Sequence, residues 1–249
     1  MIAARALSDL PEVCAGDDLA ALVVGALDTE LSEGQVLAIA HKVVSKAEGA
    51  VVALAEVEPS PRAHEIASEQ GKDPRAVQVV LDQSGEVLRS ANGVLICRTH
   101  HGFVCANAGV DASNVAPGAD TLILLPRDPD ASARRLRVRL RELTGARVAV
   151  LITDSFGRAW RHGQCDTAIG CAGLQPLDDW RGCTDSVGLP LRATWLAVAD
   201  AIAAAADLAR AKDSREPIVI LDGLERFTTA EDGPGAVALL RPLEEDLFR

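Results

Sequence analysis

Arg147-Val148-Ala149-Val150-Leu151-Ile152-Thr153-Asp154-Ser155 is the stretch on which the fold turns. Its first six residues are continuously apolar after the arginine and rich in Val and Ile, the pattern of a strand buried on both faces. The strand delivers Thr153, Asp154 and Ser155 at its carboxyl end, where ligands collect in open α/β sheets. A carboxylate held there is rigid and shielded from water, which strengthens its pull on a cation. The polar run continues as Phe156-Gly157-Arg158-Ala159-Trp160-Arg161.

Working outward, Gln35-Val36-Leu37-Ala38-Ile39-Ala40 is a second buried strand, ended by His41-Lys42. Residues 51–54, 93–97, 121–125 and 217–221 are further strand candidates. Residues 61–71 spell a helix: Ser60 caps it, Pro61 opens it and Gly71 follows its end. A longer helix is capped by Asp128, opened by Pro129, favoured by Asp130 at its positive end and stopped by Gly145. Residues 195–210 are expected to form an alanine-rich helix. Residues 163–190 are glycine-rich and polar, and are expected to form a long loop or irregular sheet of the kind that often carries function. Helices and strands alternate irregularly, so the fold class is α+β, or mixed α/β. No linker is evident, and residues 1–249 are expected to be one unit with room for two subdomains. Neither a Gly-x-x-x-x-Gly-Lys-Ser/Thr nor a Gly-x-Gly-x-x-Gly stretch occurs, so the fold is neither P-loop nor Rossmann.

Composition narrows the function. The chain has 249 residues, 48% hydrophobic and 24% charged, ordinary for a soluble globular protein with a large core. Aromatic content is 3%, with no tyrosine, so Ala, Val, Leu and Ile must build the interior. A formal net charge of −11 argues against general nucleic-acid binding, which needs basic patches, but is compatible with a single nucleotide. The basic run 134–141 alternates with aliphatics and is expected to be the solvated face of a helix. The first residues lack a signal-peptide core, and no stretch approaches the ~20 apolar residues of a membrane span. A cytoplasmic protein without membrane partners is expected. Cysteines at 14, 97, 105, 165, 171 and 183 form no Cys-x-x-Cys pair and are expected to be mostly small buried hydrophobes. A zinc site of His100, His101 and Cys105, as in a zinc hydrolase, is the sharper alternative, although its spacing matches no common zinc pattern.

A second polar segment, His101-Gly102-Phe103-Val104-Cys105-Ala106-Asn107-Ala108-Gly109-Val110-Asp111-Ala112-Ser113-Asn114, pairs a carboxylate with an amide three residues on. Asp111 and Asn114 can present two oxygens to one site, or merely form an Asx-turn; both readings stand. Oxygen-only side chains suit a hard divalent cation such as magnesium or manganese. Lys42 and Lys46, four apart, can share a helix face suited to a polyphosphate, or simply face solvent; Arg158 and Arg161 pose the same choice. Ser155 as a nucleophile lacks a Gly-x-Ser-x-Gly elbow. Together these features point to a metal-assisted reaction on a phosphorylated substrate.

The pattern resembles the gamma-glutamyl ligases of deazaflavin coenzyme F-420 biosynthesis. The matching stretches are Leu10-Pro11-Glu12-Val13 with Gly16-Asp17-Asp18-Leu19; Lys42-Val43-Val44-Ser45-Lys46-Ala47-Glu48-Gly49; the two polar segments; Leu124-Leu125-Pro126 with Asp128-Pro129-Asp130; Ala168-Ile169-Gly170; and Asp246-Leu247-Phe248-Arg249. They span nearly the whole chain. The resemblance implies the family's own fold and a GTP-dependent ligase that joins L-glutamate to coenzyme F-420-0 through an acyl phosphate. The products are GDP and phosphate, and further gamma-linked additions can follow. It implies divalent metal (magnesium or manganese) on Asp111, Asp154 and Ser155, with Asp111 and Asp154 catalytic. It implies GTP contacts from Leu10, Pro11, Glu12, Val13, His41, Lys42, Lys46 and Asn114. A potassium requirement and an intertwined homodimer follow from the resemblance alone. The chain departs from the family at His41-Lys42, Ala211-Lys212 and Asp222-Gly223, where many members read Gln-Lys or Ser-Lys, Gly-Gln or Gly-Lys, and Arg-Gly. No site residue is carried over from that late segment. Some relatives carry a fused reductase-like domain, and here the ligase unit alone is expected. The alternative is a catalytically inactive nucleotide- or deazaflavin-binding relative.

Overall fold

A central mixed sheet carries the molecule, its strands lying in the order Ala3–Ala6, Ile218–Asp222, Val36–Ala40, Ala149–Arg158 and Arg161–Ala172. The computed structural model describes residues 1–112, 120–211 and 213–246. In chain order its elements are β1 (Ala3–Ala6), α1 (Leu19–Gly25), β2 (Val36–Ala40), α2 (His41–Ala47), β3 (Val51–Ala53), α3 (Pro61–Gln70), α4 (Pro74–Asp82), β4 (Ser84–Ala91), β5 (Val94–Thr99) and β6 (Val104–Ala106). They continue with β7 (Thr121–Ile123), α5 (Pro129–Thr144), β8 (Ala149–Arg158), β9 (Arg161–Ala172), β10 (Leu177–Asp179), β11 (Trp195–Ala197), α6 (Val198–Leu208) and β12 (Ile218–Asp222). The architecture is α+β, as the irregular alternation of patterns implied.

The three inner strands are apolar at every core position because both faces of the sheet are covered. Leu37 and Ile39 of β2, Val150 and Ile152 of β8, and Ile218 and Ile220 of β12 face α1, α2 and α5, with Val23, Val44 and Leu140. Their neighbours Val36, Ala38, Ala149, Leu151, Val219 and Leu221 face α6, with Val198, Ile202 and Ala206. This period-2 alternation between two cores is the pleat of a strand expressed in packing. β2 and β8 run parallel, whereas the other pairings in this sheet are antiparallel.

A smaller core lies beside the sheet, where α3 and α4 pack Ala63, Ile66, Ala67, Val77 and Val80 onto Leu95 and Cys97 of β5. β4, β5 and β6 form their own sheet, and β3 pairs with β7. Among the described residues no helix is long and apolar enough to cross a membrane.

The expected caps are in place. Ser60 accepts the Ala63 N–H and Gly71 sits at φ 66°; Asp128 accepts the Ala131 N–H and Gly145 sits at φ 78°. Other expectations need correction. β8 does not stop at Ile152 but runs through Thr153, Asp154 and Ser155 to Arg158, so the polar segment is strand, not loop. It turns directly into the 12-residue β9, so the first part of residues 163–190 is sheet rather than loop, the second of the two forms expected there. The two strands are held by a long backbone ladder, which needs no apolar periodicity. Residues 195–197 pair with β10, and the helix begins only at Val198; a short apolar run reads equally as strand or helix until its partner is known. Arg137 of α5 is not a solvated residue: its side chain is 13% exposed, paired with Asp232 and bonded to the carbonyls of Val148, Thr229 and Ala230.

Candidate functional site

The parallel pairing of β2 with β8 sets Ala40 opposite Thr153, so the residues after Ala40 meet the polar part of β8. The chain turns there into α2, whose first residues are His41 and Lys42. His41, 1% exposed, brings Nε2 to 3.3 Å from Asp154 Oδ1, an electrostatic contact without hydrogen-bond alignment. Its Nδ1 lies 3.4 Å from Ser45 Oγ. Lys42 Nζ pairs with Asp111 Oδ2 at 2.7 Å. One turn on, Lys46 pairs with Glu12 at 2.5 Å. Val13 beside Glu12 is buried and Leu10 packs against the same core, while Pro11 is exposed. Glu12, His41, Lys42, Lys46, Asp111 and Asp154 are thereby linked around α2, far apart in sequence. The lysines share that helix as expected, and both face carboxylates.

Asp111 arrives by a different route. β6 ends in Asn107, Ala108 and Gly109 with φ 50°, 53° and 72°, three consecutive residues in left-handed backbone. Such a run is costly for residues other than glycine. Asn107 offsets it by accepting the Leu95 N–H at 3.3 Å and Lys72 Nζ at 3.2 Å. Burial pulls the Lys72 ammonium below its ordinary pKa. At Gly109 a Cβ would sit 2.7 Å from Leu125, so only glycine fits. Asp111 then exchanges two backbone hydrogen bonds with Ile123, at 3.0 and 2.8 Å, which fixes where its side chain leaves the chain. β6 lies close to β8: burial, and after it the Asp154 charge, push the Cys105 thiol up to about 12.

The pleat of β8 divides the remaining residues. Asp154 points to the α2 side with Val150 and Ile152, whereas Thr153 and Ser155 share the α6 side with Leu151. The Ser155 N–H donates to Asp154 Oδ1 at 2.8 Å, but its hydroxyl donates to Asp166 Oδ1 at 2.6 Å. Asp166, 1% exposed on β9, also accepts the Thr153 hydroxyl at 2.9 Å and the Arg210 guanidinium. Asp166 and Arg210 were not anticipated from sequence. The available signal was hairpin register: a turn centred at Trp160, itself at φ 58°, sets Ser155 opposite Asp166. Just beyond, β9 carries a bulge at Ile169, next to Thr153, and the freed Ala168 N–H donates to Asp200 of α6 at 2.9 Å.

Asp111, Asp154 and Ser155 offer oxygen only. Among the described residues no three His, Cys, Asp or Glu side chains converge as a metal cage. The two carboxylates, on the α2 side of β8, have the chemistry that suits a hard divalent cation, whereas the Ser155 hydroxyl lies on the opposite face of the strand and is not brought together with them. The zinc alternative is not assembled: His100 turns to the Asp82 carbonyl and His101 to those of Pro126 and Arg127, while buried Cys105 is held as a thiol. Arg158 and Arg161 lie exposed at the far end of the β8–β9 hairpin, away from the lysine pair. Asn114, Lys212 and residues 247–249 lie outside the described residues.

Comparison with known proteins shows the family. The family model described as F420-0:Gamma-glutamyl ligase matches residues 9–223. The coenzyme F420:L-glutamate ligase of Methanothermobacter thermautotrophicus is 45% identical over 244 residues, covering 96% of each chain. That of Methanopyrus kandleri is 48% identical over 236 residues, covering 94% of this chain and 92% of its own. That of Halobacterium salinarum is 44% identical over 245 residues, covering 92% and 93%.

Proposed function

The chain belongs to the F420-0:gamma-glutamyl ligase family, and from this premise we propose that it is a GTP-dependent ligase forming an amide between L-glutamate and the terminal carboxylate of coenzyme F420-0. The observation that carries this reading is the handing of two carboxylates to adjacent residues at the start of α2, Asp154 to His41 and Asp111 to Lys42. Phosphoryl transfer demands positioning and charge neutralisation more than a covalent nucleophile, and carboxylates and ammonium groups gathered at one helix start support that reading.

The proposed chemistry runs in two steps. An oxygen of the F420-0 carboxylate bonds to the γ-phosphorus of GTP, the bond to the β-phosphate oxygen breaks, and GDP leaves. The α-amine of glutamate then attacks the acyl phosphate carbon, loses a proton, and phosphate departs with the C–O bond electrons. Lys42 and Lys46 offset nucleotide charge, and residues 10–13 border the nucleotide beside them. Lys42 in its ion pair keeps Asp111 oriented before the phosphates arrive. Asp111 and Asp154 on one face of β8, and Ser155 on the other, would hold magnesium or manganese, which supplies Lewis-acid stabilisation of phosphate oxygens. His41 lies under Asp154 and fixes the carboxylate from its buried side. Asn114 belongs to the GTP site on sequence grounds.

A potassium requirement, further gamma-linked glutamate additions and a cytoplasmic setting are part of the same proposal. So is a homodimer, supported by apolar side chains exposed near β11 and α6: Val187, Leu189, Trp195, Leu196 and Leu208. The test is incubation with GTP, L-glutamate, F420-0 and magnesium or manganese, followed by mass spectrometry. A product heavier by one or more glutamyl units, with stoichiometric GDP, is expected. Binding of GTP and F420-0 without product would assign the chain to an inactive relative instead.

A further inference from the structure

Asp166 and Arg210 have no part in the chemistry above, yet both are withdrawn from solvent, with side chains 1% and 9% exposed. A buried carboxylate is unfavourable unless it is paired and hydrogen-bonded. Asp166 meets that condition with an unusual set of partners: the hydroxyls of Ser155 and Thr153 and the guanidinium of Arg210. Arg210 reaches further. One of its terminal nitrogens also lies 3.1 Å from Thr153 Oγ1, and the other donates to the Pro217 carbonyl at 2.9 Å. That carbonyl also accepts the Ala40 N–H at 2.8 Å. The ends of β2 and α6, the middle of β8 and the start of β12 are therefore tied together through one guanidinium and one carboxylate.

The consequence concerns Ser155. A hydroxyl binds a cation through its oxygen lone pairs, and an unconstrained hydroxyl rotates its proton through the same space. Asp166 Oδ1, 2.6 Å away, takes that proton on the side of β9. The oxygen then presents lone pairs rather than hydrogen to its other surroundings. Arg210 balances the Asp166 charge through one terminal nitrogen on Oδ2, while its other terminal nitrogen is anchored on the Pro217 carbonyl, so the carboxylate is held with Oδ1 toward Ser155. We propose that Asp166 and Arg210 are positioning residues that orient the Ser155 hydroxyl oxygen for a divalent cation. This rests on the reading of Ser155 as a cation-binding residue.

The test is a double-variant cycle on the purified chain, read by manganese binding (electron paramagnetic resonance of free Mn2+, with calorimetry) and by thermal melting. Asp166→Leu combined with Arg210→Met removes the acceptor without leaving an orphan charge. The expected result is Mn2+ affinity about 10- to 100-fold weaker with a cooperative melt retained. Ser155→Ala should weaken binding comparably, and adding it to the double variant should weaken binding no further, because all three act through one oxygen. Arg210→Lys, which keeps charge but cannot hold Asp166 and the Pro217 carbonyl from two separate nitrogens, should fall in between and serves as the readout if the double variant does not fold. Independent, multiplying losses would overturn the inference while leaving Ser155 as a cation-binding residue. So would a binding loss in Ser155→Ala with wild-type affinity in the double variant or in Arg210→Lys. Mn2+ binding unchanged in Ser155→Ala, or absent from the wild type, would overturn the reading of Ser155 and the inference with it.

Discussion

Asp154 and Asp111 face successive residues of one helix, but the chain brings them there by opposite means. Asp154 sits in a strand whose backbone pairs on both sides, with β2 and with β9, and whose preceding five residues are all buried. Its position follows from ordinary strand geometry. Asp111 follows three left-handed residues and is pinned by a single two-bond bridge to Ile123. Its position depends on Asn107, Gly109 and Leu125 filling their places. One wall of the site is rigid because it belongs to the main core; the other is rigid only because strained backbone is locked by local packing.

Substitutions can break that contrast. The largest effect is expected for Asp154→Asn, which should lower turnover about 10²–10³-fold, typical for removing one electrostatic group, without altering the melt substantially. Asp111→Asn should do the same; wild-type turnover in either variant would remove that carboxylate from the site. Next come variants of the strained turn. Gly109→Ala drives a methyl into Leu125 and should cost about 1–3 kcal/mol of stability by overpacking, seen as a lower denaturation midpoint. Ala108→Val puts a β-branched residue at φ 53° and should cost about 1–3 kcal/mol, whereas Ala108→Gly should stay within about 1 kcal/mol of wild type. If valine were tolerated as well as glycine, the turn would not be strained.

The smallest effect concerns the rigid wall. Burial raises the Asp200 carboxyl above its ordinary value of 3.8, against the opposing Ala168 N–H. Because the folded value is the higher one, this group's contribution is fully present below the unfolded pKa and is lost as pH rises through the folded pKa. Asp200→Asn keeps an acceptor but cannot ionise. The gap in melting temperature between variant and wild type should therefore open in the variant's favour across the mildly acidic range and be constant above it. A gap independent of pH would show that Asp200 is not desolvated in solution.

Much of the molecule is legible without coordinates where a signal is local. Ser60 and Asp128 as caps, Gly71 and Gly145 as stops, the apolar runs of β2, β8 and β12, and the lysines on α2 all follow from short-range patterns. The errors fall where the deciding partner is distant. The strand at Trp195 needed β10 to define it. The length of β8 needed β9, because polar residues in a hairpin carry no hydrophobic period. Arg137 needed a pocket of carbonyls contributed by residues near 148 and 229.

By itself, then, the sequence determined the chemistry on offer: oxygen donors at Asp111, Asp154 and Ser155, ammonium groups at Lys42 and Lys46, a buried strand to carry two of the donors, and membership of a ligase family. Only the tertiary structure decided how those groups share their charges. It gave Asp154 to His41, Asp111 to Lys42 and the Ser155 hydroxyl to Asp166, and it brought in Arg210 from beyond α6. The reason is physical. Residue type and local periodicity fix what a side chain can do and which face of its own element it occupies. A side chain's partner depends on the pleat and register of strands joined across long stretches of chain, and that pairing is settled only when the two cores close on the sheet.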